Sequence, residues 1–184
     1  MSVFLSKREK RLWLLVLLVV IAIYATLGLS PILAGFLRDR GLISDGFWLG
    51  LALIGLTILA HGLRTRPGGY EIATWLGIAG VYLLVFLRMN IPEERSHLIE
   101  YSVVAIFILE ALRERVKQGG NVYRPPLLAI ALTTLIGLLD ECIQFFLPGR
   151  VYDLFDISFN FLAALMAVTG SLVLAWARKK VTKY

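Results

Sequence analysis

A single cysteine, Cys142, leaves no partner for an internal disulfide, so cysteine use says nothing about compartment. Two histidines in 184 residues are too few for a histidine-rich metal centre. Charge is also scarce. Only 17 % of residues are charged, against about a quarter in a typical soluble domain, while 58 % are hydrophobic. The charges cluster between long apolar runs, which argues against a soluble globular domain and for a chain that crosses a membrane repeatedly. A net charge of +6 raises nucleic acid as a partner. The basic residues are spread over several junctions and make no single basic face, so no nucleic-acid partner is expected. No internal repeat or low-complexity tract is present.

What is there is a series of apolar segments. A helical span needs roughly 20 such residues, and six candidates are expected at 12–29, 47–63, 72–90, 96–112, 126–147 and 154–177. The basic start, Lys7 to Arg11, is like that of a signal peptide. The run after it is long and lacks an Ala-x-Ala site, so it reads as a retained first span. The breaks carry turn chemistry: Ser30-Pro31, Ser44-Asp45-Gly46, Pro67-Gly68-Gly69, Asn90-Ile91-Pro92, Gly119-Gly120-Asn121 and Pro148-Gly149. The expected fold is an all-α, polytopic transmembrane bundle forming a single domain over 1–184. The fourth span is unusual in holding Glu100 and Glu110.

Lysines and arginines at alternate junctions set the direction. Fourteen of the 19 lie on the set that includes Lys7, Arg64, Arg113 and Lys179, and five on the other: Arg38, Arg40, Arg88, Arg95 and Arg150. Both termini are therefore expected in the cytoplasm. The start of the fourth span, the end of the fifth and the start of the sixth then share one level near the outer leaflet. That level collects Arg95, His97, Glu100, Asp140, Glu141, Gln144, Arg150, Asp153, Asp156 and Asn160. Ionisable groups at membrane depth are costly and usually mark a working site.

Helical spacing groups them further. Thr133, Gly137, Asp140 and Gln144 form one stripe on the fifth span. Asp153, Asp156, Asn160, Ala163 and Ala167 form another on the sixth, and a short connection makes the two stripes face each other. His97, Glu100, Tyr101 and Val104 share a face of the fourth. Five acids meet two arginines and one histidine there. Crowded carboxylates at low dielectric must pair, share protons or hold a cation. His97, Glu100, Asp140 and Glu141 are the expected acid/base group; Arg95, Gln144, Arg150, Asp156 and Asn160 are the expected ligand contacts. His97-x-x-Glu100 with Asp140 and Glu141 is also a donor set for zinc or magnesium. The spacing matches no familiar metal site, and neither metal nor other cofactor is expected.

Plainer roles stand beside these. Asp140, Gln144 and Asn160 can serve as bonds between helices, Asp153 as a helix N-cap, Arg150 as a loop arginine on carbonyls, and His97 and Tyr101 as interface residues. His61 reads as interfacial, Gly46-x-x-x-Gly50 as a weak helix contact, and Cys142 as a small packing residue. Glu110, Arg113 and Glu114 read as pairs on one helix surface.

The runs Glu94-Arg95-Ser96-His97-Leu98-Ile99-Glu100-Tyr101 and Asp140-Glu141-x-x-Gln144-x-x-x-Pro148-x-Arg150-x-x-Asp153-x-x-Asp156-x-x-x-Asn160 together resemble the VanZ-like family. The motifs fall within 88–177. The resemblance implies a small multi-pass protein of the bacterial cytoplasmic membrane. It also implies a context, since the family is named for an accessory protein of teicoplanin resistance, but it supplies no reaction. With the outer-leaflet site, it leads to an expected role in binding or acting on a cell-envelope lipid or cell-wall precursor head group. An intramembrane acid/base hydrolase or transferase and a proton-coupled carrier are the alternatives. The expected partners are membrane lipids and a lipid-linked or cell-wall precursor ligand.

Overall fold

The computed structural model describes residues 3–27, 35–36, 39–42, 67–88, 92–147 and 153–181, the side chains of 92–96 and 180–181 excepted. Among these the chain is helical, in five long elements: α1 (Lys7–Leu27), α2 (Gly69–Arg88), α3 (Pro92–Lys117), α4 (Pro125–Gln144) and α5 (Leu154–Val181). The expected second span, 47–63, lies outside the described residues, as do His61, the Gly46–Gly50 pair, Pro148-Gly149 and Arg150.

Local chemistry sets the helix ends. Ser6 caps α1, its hydroxyl accepting from the Glu9 backbone N–H at 3.0 Å, while Glu9 Oε2 accepts from Leu5 N at 2.8 Å. The helix therefore starts five residues before its apolar run. Pro92 and Pro125 stand at the first positions of α3 and α4, where a missing N–H costs nothing. α3 ends in a Schellman turn, with Gly120 N–H on Arg115 O and Gly119 N–H on Val116 O. Gly119 has φ 84°, the left-handed region that favours glycine. A Cβ on Gly120 would lie 2.7 Å from Arg115 Cγ and 2.8 Å from Leu5 Cδ1, so that turn also seats the N-terminal segment.

Four helices (α1, α2, α4 and α5) are long and apolar enough to cross a membrane. They show large apolar side chains outward: Leu18 is 63 % exposed, Leu76 69 % and Leu84 67 %. That is how a bundle meets lipid rather than water. α3 is different. It carries too many charges for a lipid-facing span, and it lies against α1, α4 and α5. Leu98, Tyr101, Val104, Ala105, Ile108 and Leu109 are buried along it. Its neighbours shield the polar groups that its composition would otherwise expose to lipid. They also leave α3 room to run past the expected 96–112, into a charged end.

That charged end is tied to α1 and α5. Arg8 reaches Glu114 at 3.3 Å and Glu110 at 3.2 Å, Arg115 holds the fully buried Glu9 at 3.1 Å, and Arg113 bonds Ser171 of α5 at 2.9 Å. Arg178 near the end of α5 holds Glu71 at the start of α2, 2.6 Å apart. The start of α1 and the end of α5 thus share one end of the bundle. Glu110 and Glu114 are not only pairs within α3, as their spacing suggests; they bridge to α1.

Candidate functional site

At the opposite end, three helices bring their polar groups together. The fifth-span stripe is buried as its spacing requires: Thr133 and Asp140 are 0 % exposed and Gln144 2 %, and Glu141 beside the stripe is 0 % exposed as well. Gly137 sits among them because a Cβ there would be 2.7 Å from both Cβ and Nδ2 of Asn160. The glycine lets α5 come close enough for Asn160, also 0 % exposed, to lie against α4. On α5, Ala163 and Ala167 continue the small-residue seam, both buried. The two stripes face each other as expected.

α3 supplies His97 and Tyr101. Their rings stack with centroids 5.8 Å apart and 11° between planes. His97 Nδ1 is 3.9 Å from Asp140 Oδ2. One donor atom each from His97, Asp140 and Glu141 falls within 4.8 Å of the other two. Gln144 Nε2 donates to Glu141 Oε1 at 2.9 Å and to Asp140 Oδ2 at 3.4 Å. The Asp153 backbone N–H donates to Glu141 Oε2 at 3.2 Å. The two carboxylates are thereby fixed at one level, and Glu141 is oriented by two neutral amides. Asp153 also has the plain role its position suggests. Its Oδ1 accepts from Phe155 N at 2.8 Å, capping α5.

Three further buried groups line the same seam. The Thr133 hydroxyl and both side-chain ends of Asn160 make no hydrogen bond among the described residues. The Tyr101 hydroxyl is directed at Asp140. Native interiors pair such groups with protein, water or ligand.

Of the nine expected site residues, the structure brings His97, Asp140, Glu141 and Gln144 into one cluster, with Asn160 about a turn deeper along α4. Glu100 and Asp156 are half-buried at its edge. Arg95 is in the first turn of α3, two residues before His97; its side chain and the whole of Arg150 fall outside the described residues. Cys142 does not pack inward. It is exposed on the far side of α4 from the site. Its place beside Glu141 rotates it about 100° away from the seam. Sequence reasoning missed Glu9, buried at the other end, and the Tyr24 hydroxyl, which donates to Ile136 O at 2.8 Å and ties α1 to α4. The Ser6-x-x-Glu9 capping signature was the available signal for Glu9.

The arrangement can move protons between an imidazole and two carboxylates, or hold a cation between them. No curated protein and no solved structure matches the chain significantly. The VanZ/LLP1 family model matches residues 72–175, from α2 through most of α5, and so contains every element that builds this cluster. With more than half of its length under that match, the chain belongs to the VanZ/LLP1 family.

Proposed function

We propose that this protein engages the anionic head group of a cell-envelope lipid or lipid-linked cell-wall precursor, at the extracytoplasmic face of a bacterial cytoplasmic membrane. One observation carries the reading: the buried His97–Asp140–Glu141 cluster lies at the end of the bundle opposite the strongly basic one. Basic ends favour the cytoplasm, which supports an extracytoplasmic cluster. Both termini are then cytoplasmic, and with a span in 47–63 the count is six.

In this reading Arg95 and Arg150 take the phosphate or carboxylate of the head group as guanidinium forks. His97 exchanges a proton with Asp140 as the ligand arrives, and Glu141, held by Gln144 and Asp153 N, keeps its orientation. Asp156, Glu100 and Asn160 complete the walls. The exposed Phe145 and Phe146, next to the site, serve as interfacial anchors. A part in glycopeptide resistance agrees with the family name and with this side of the membrane, since such antibiotics act on wall intermediates there.

Native mass spectrometry of the detergent-purified protein tests the reading. A retained anionic lipid that disappears with Arg150→Ala or Arg95→Ala is the expected result; its absence from wild type, or its persistence in both variants, overturns it. The buried acids favour a second reading, an acid/base hydrolase or transferase. That enzyme would lose turnover but keep the lipid with Glu141→Gln. A carrier would instead show proton-linked flux in vesicles, abolished by Asp140→Asn.

A further inference from the structure

We propose that His97, Asp140 and Glu141 bind a divalent transition-metal ion, zinc first among the candidates. The proposal concerns the same cluster as the reading above but does not depend on a head group being the ligand.

Three donors of the right kinds already converge. An imidazole nitrogen and two carboxylate oxygens, from two different helices, stand within 4.8 Å of one another, and the residues are at most 7 % exposed. The 3.9 Å between His97 Nδ1 and Asp140 Oδ2 is longer than a hydrogen bond. It suits two ligands of one ion better. Zinc at its usual 2.0–2.2 Å from each donor would set neighbouring donors about 3.4 Å apart, a closure that side-chain rotation supplies.

The surroundings fit as well. Metal-binding carboxylates are characteristically held by outer hydrogen bonds. Glu141 is held in this way, with Gln144 Nε2 on one oxygen and Asp153 N on the other, both neutral donors. These bonds orient the Glu141 carboxylate beside Asp140, in an apolar shell where a cation lowers the cost of the charge.

An independent observation points the same way. The Asn160 amide is 0 % exposed and makes no hydrogen bond among the described residues, and it lies against Gly137, one turn along α4 from Asp140. A three-donor site leaves coordination positions for water, and such water would give this amide its partner. The Tyr101 hydroxyl, directed at Asp140 with its ring stacked on His97, walls the same space. The donor set chooses the metal. A histidine ligand disfavours magnesium and calcium, and one nitrogen with two oxygens suits zinc or manganese.

The test uses the full chain, purified in lipid nanodiscs and dialysed against zinc, then washed. Plasma mass spectrometry should find about one zinc per chain. His97→Gln, Asp140→Asn and Glu141→Gln should each lose it, while Glu71→Gln, at the other end of the bundle, should keep it. Cobalt in place of zinc should give visible absorption from the wild type and none from the three variants. A wild type that binds no zinc, cobalt or manganese overturns the proposal, as does metal retained equally by all three variants. If a variant does not fold, X-ray absorption at the zinc edge of the wild type decides. A shell with one imidazole and carboxylate oxygens supports the site, and a shell without imidazole overturns it. Lipid retention by a wild type that takes no metal would sink this proposal and leave the head-group reading intact; metal bound with no lipid retained would do the reverse.

Discussion

His97 Nδ1 faces Asp140 Oδ2 at 3.9 Å across the α3–α4 interface, in a place neither residue shares with water. Two groups so placed must depend on each other's charge. In thermal unfolding, His97→Gln and Asp140→Asn should be non-additive. The double variant should be less destabilised than the sum of the singles by about 1 kcal/mol or more. Additive losses would mean that the two side chains do not interact.

Gly137 predicts an asymmetry between glycines. Gly137→Ala adds a Cβ only 2.7 Å from the Asn160 Cβ, with no flexible tip to move aside, and should cost about 1–3 kcal/mol despite alanine's better helix propensity. Gly80→Ala meets nothing within 4 Å and should be neutral or stabilising. Melting temperatures of the two variants in one detergent check the pair. Equal effects would refute the close α4–α5 approach.

Arg115 shields Glu9. With Arg115→Ala the Glu9 carboxylate, 0 % exposed, keeps its bond from Leu5 N and no other among the described residues. The loss should be roughly 2–3 kcal/mol, somewhat less than for a wholly buried pair because Arg115 is partly exposed. Glu9→Gln in the same chain should recover part of it. Denaturant unfolding of the single and double variants gives the comparison.

Glu114, beyond the apolar part of α3, carries a pH prediction. The hydrogen bond from Gln118, then that from Ser6 and the Arg8 charge, hold its carboxyl below the ordinary carboxylate value. A carboxyl depressed in the folded state stabilises fully above its unfolded value, near 4.5, and loses that contribution as pH falls through the folded value. The difference in melting temperature between wild type and Glu114→Gln should therefore be constant from pH 6 to 8 and shrink below about pH 4.5. A difference that grows on acidification would reverse the assignment.

Orientation is open to direct chemistry. In a Cys142→Ser background, Gln118→Cys and Phe146→Cys place one thiol at each end of the bundle, both on exposed positions. A membrane-impermeant maleimide added to intact cells should label the second and spare the first. Labelling of both or neither position, or the opposite pattern, would remove the proposed extracytoplasmic placement.

Much of the site was legible because helical periodicity is a strong signal when the unusual residues are polar. Thr133, Gly137, Asp140 and Gln144 keep one face in the chain and in the bundle. The Asp153 cap was equally readable from its place before an apolar run. The burial of Glu9 was not. Its Ser6-x-x-Glu9 spacing signals a cap, but it stands among lysines and arginines that read as solvated, and its ion-pair partner Arg115 is distant in the chain. Cys142 was misjudged because size was weighed where angle decides; one residue past Glu141 it leaves the buried face. That a helix stands at α3 was legible; its ends and its central position were not. That position follows from which helices surround it, a long-range fact that no local window contains.

A core helix too polar to face lipid has consequences before the protein is complete. Left alone in a lateral gate, α3 would partition poorly into the bilayer. α1 precedes it in synthesis, but α4 and α5 follow it. Its release from the insertion machinery must therefore await the later partners, and biogenesis becomes a joint event, most vulnerable to truncation after α3.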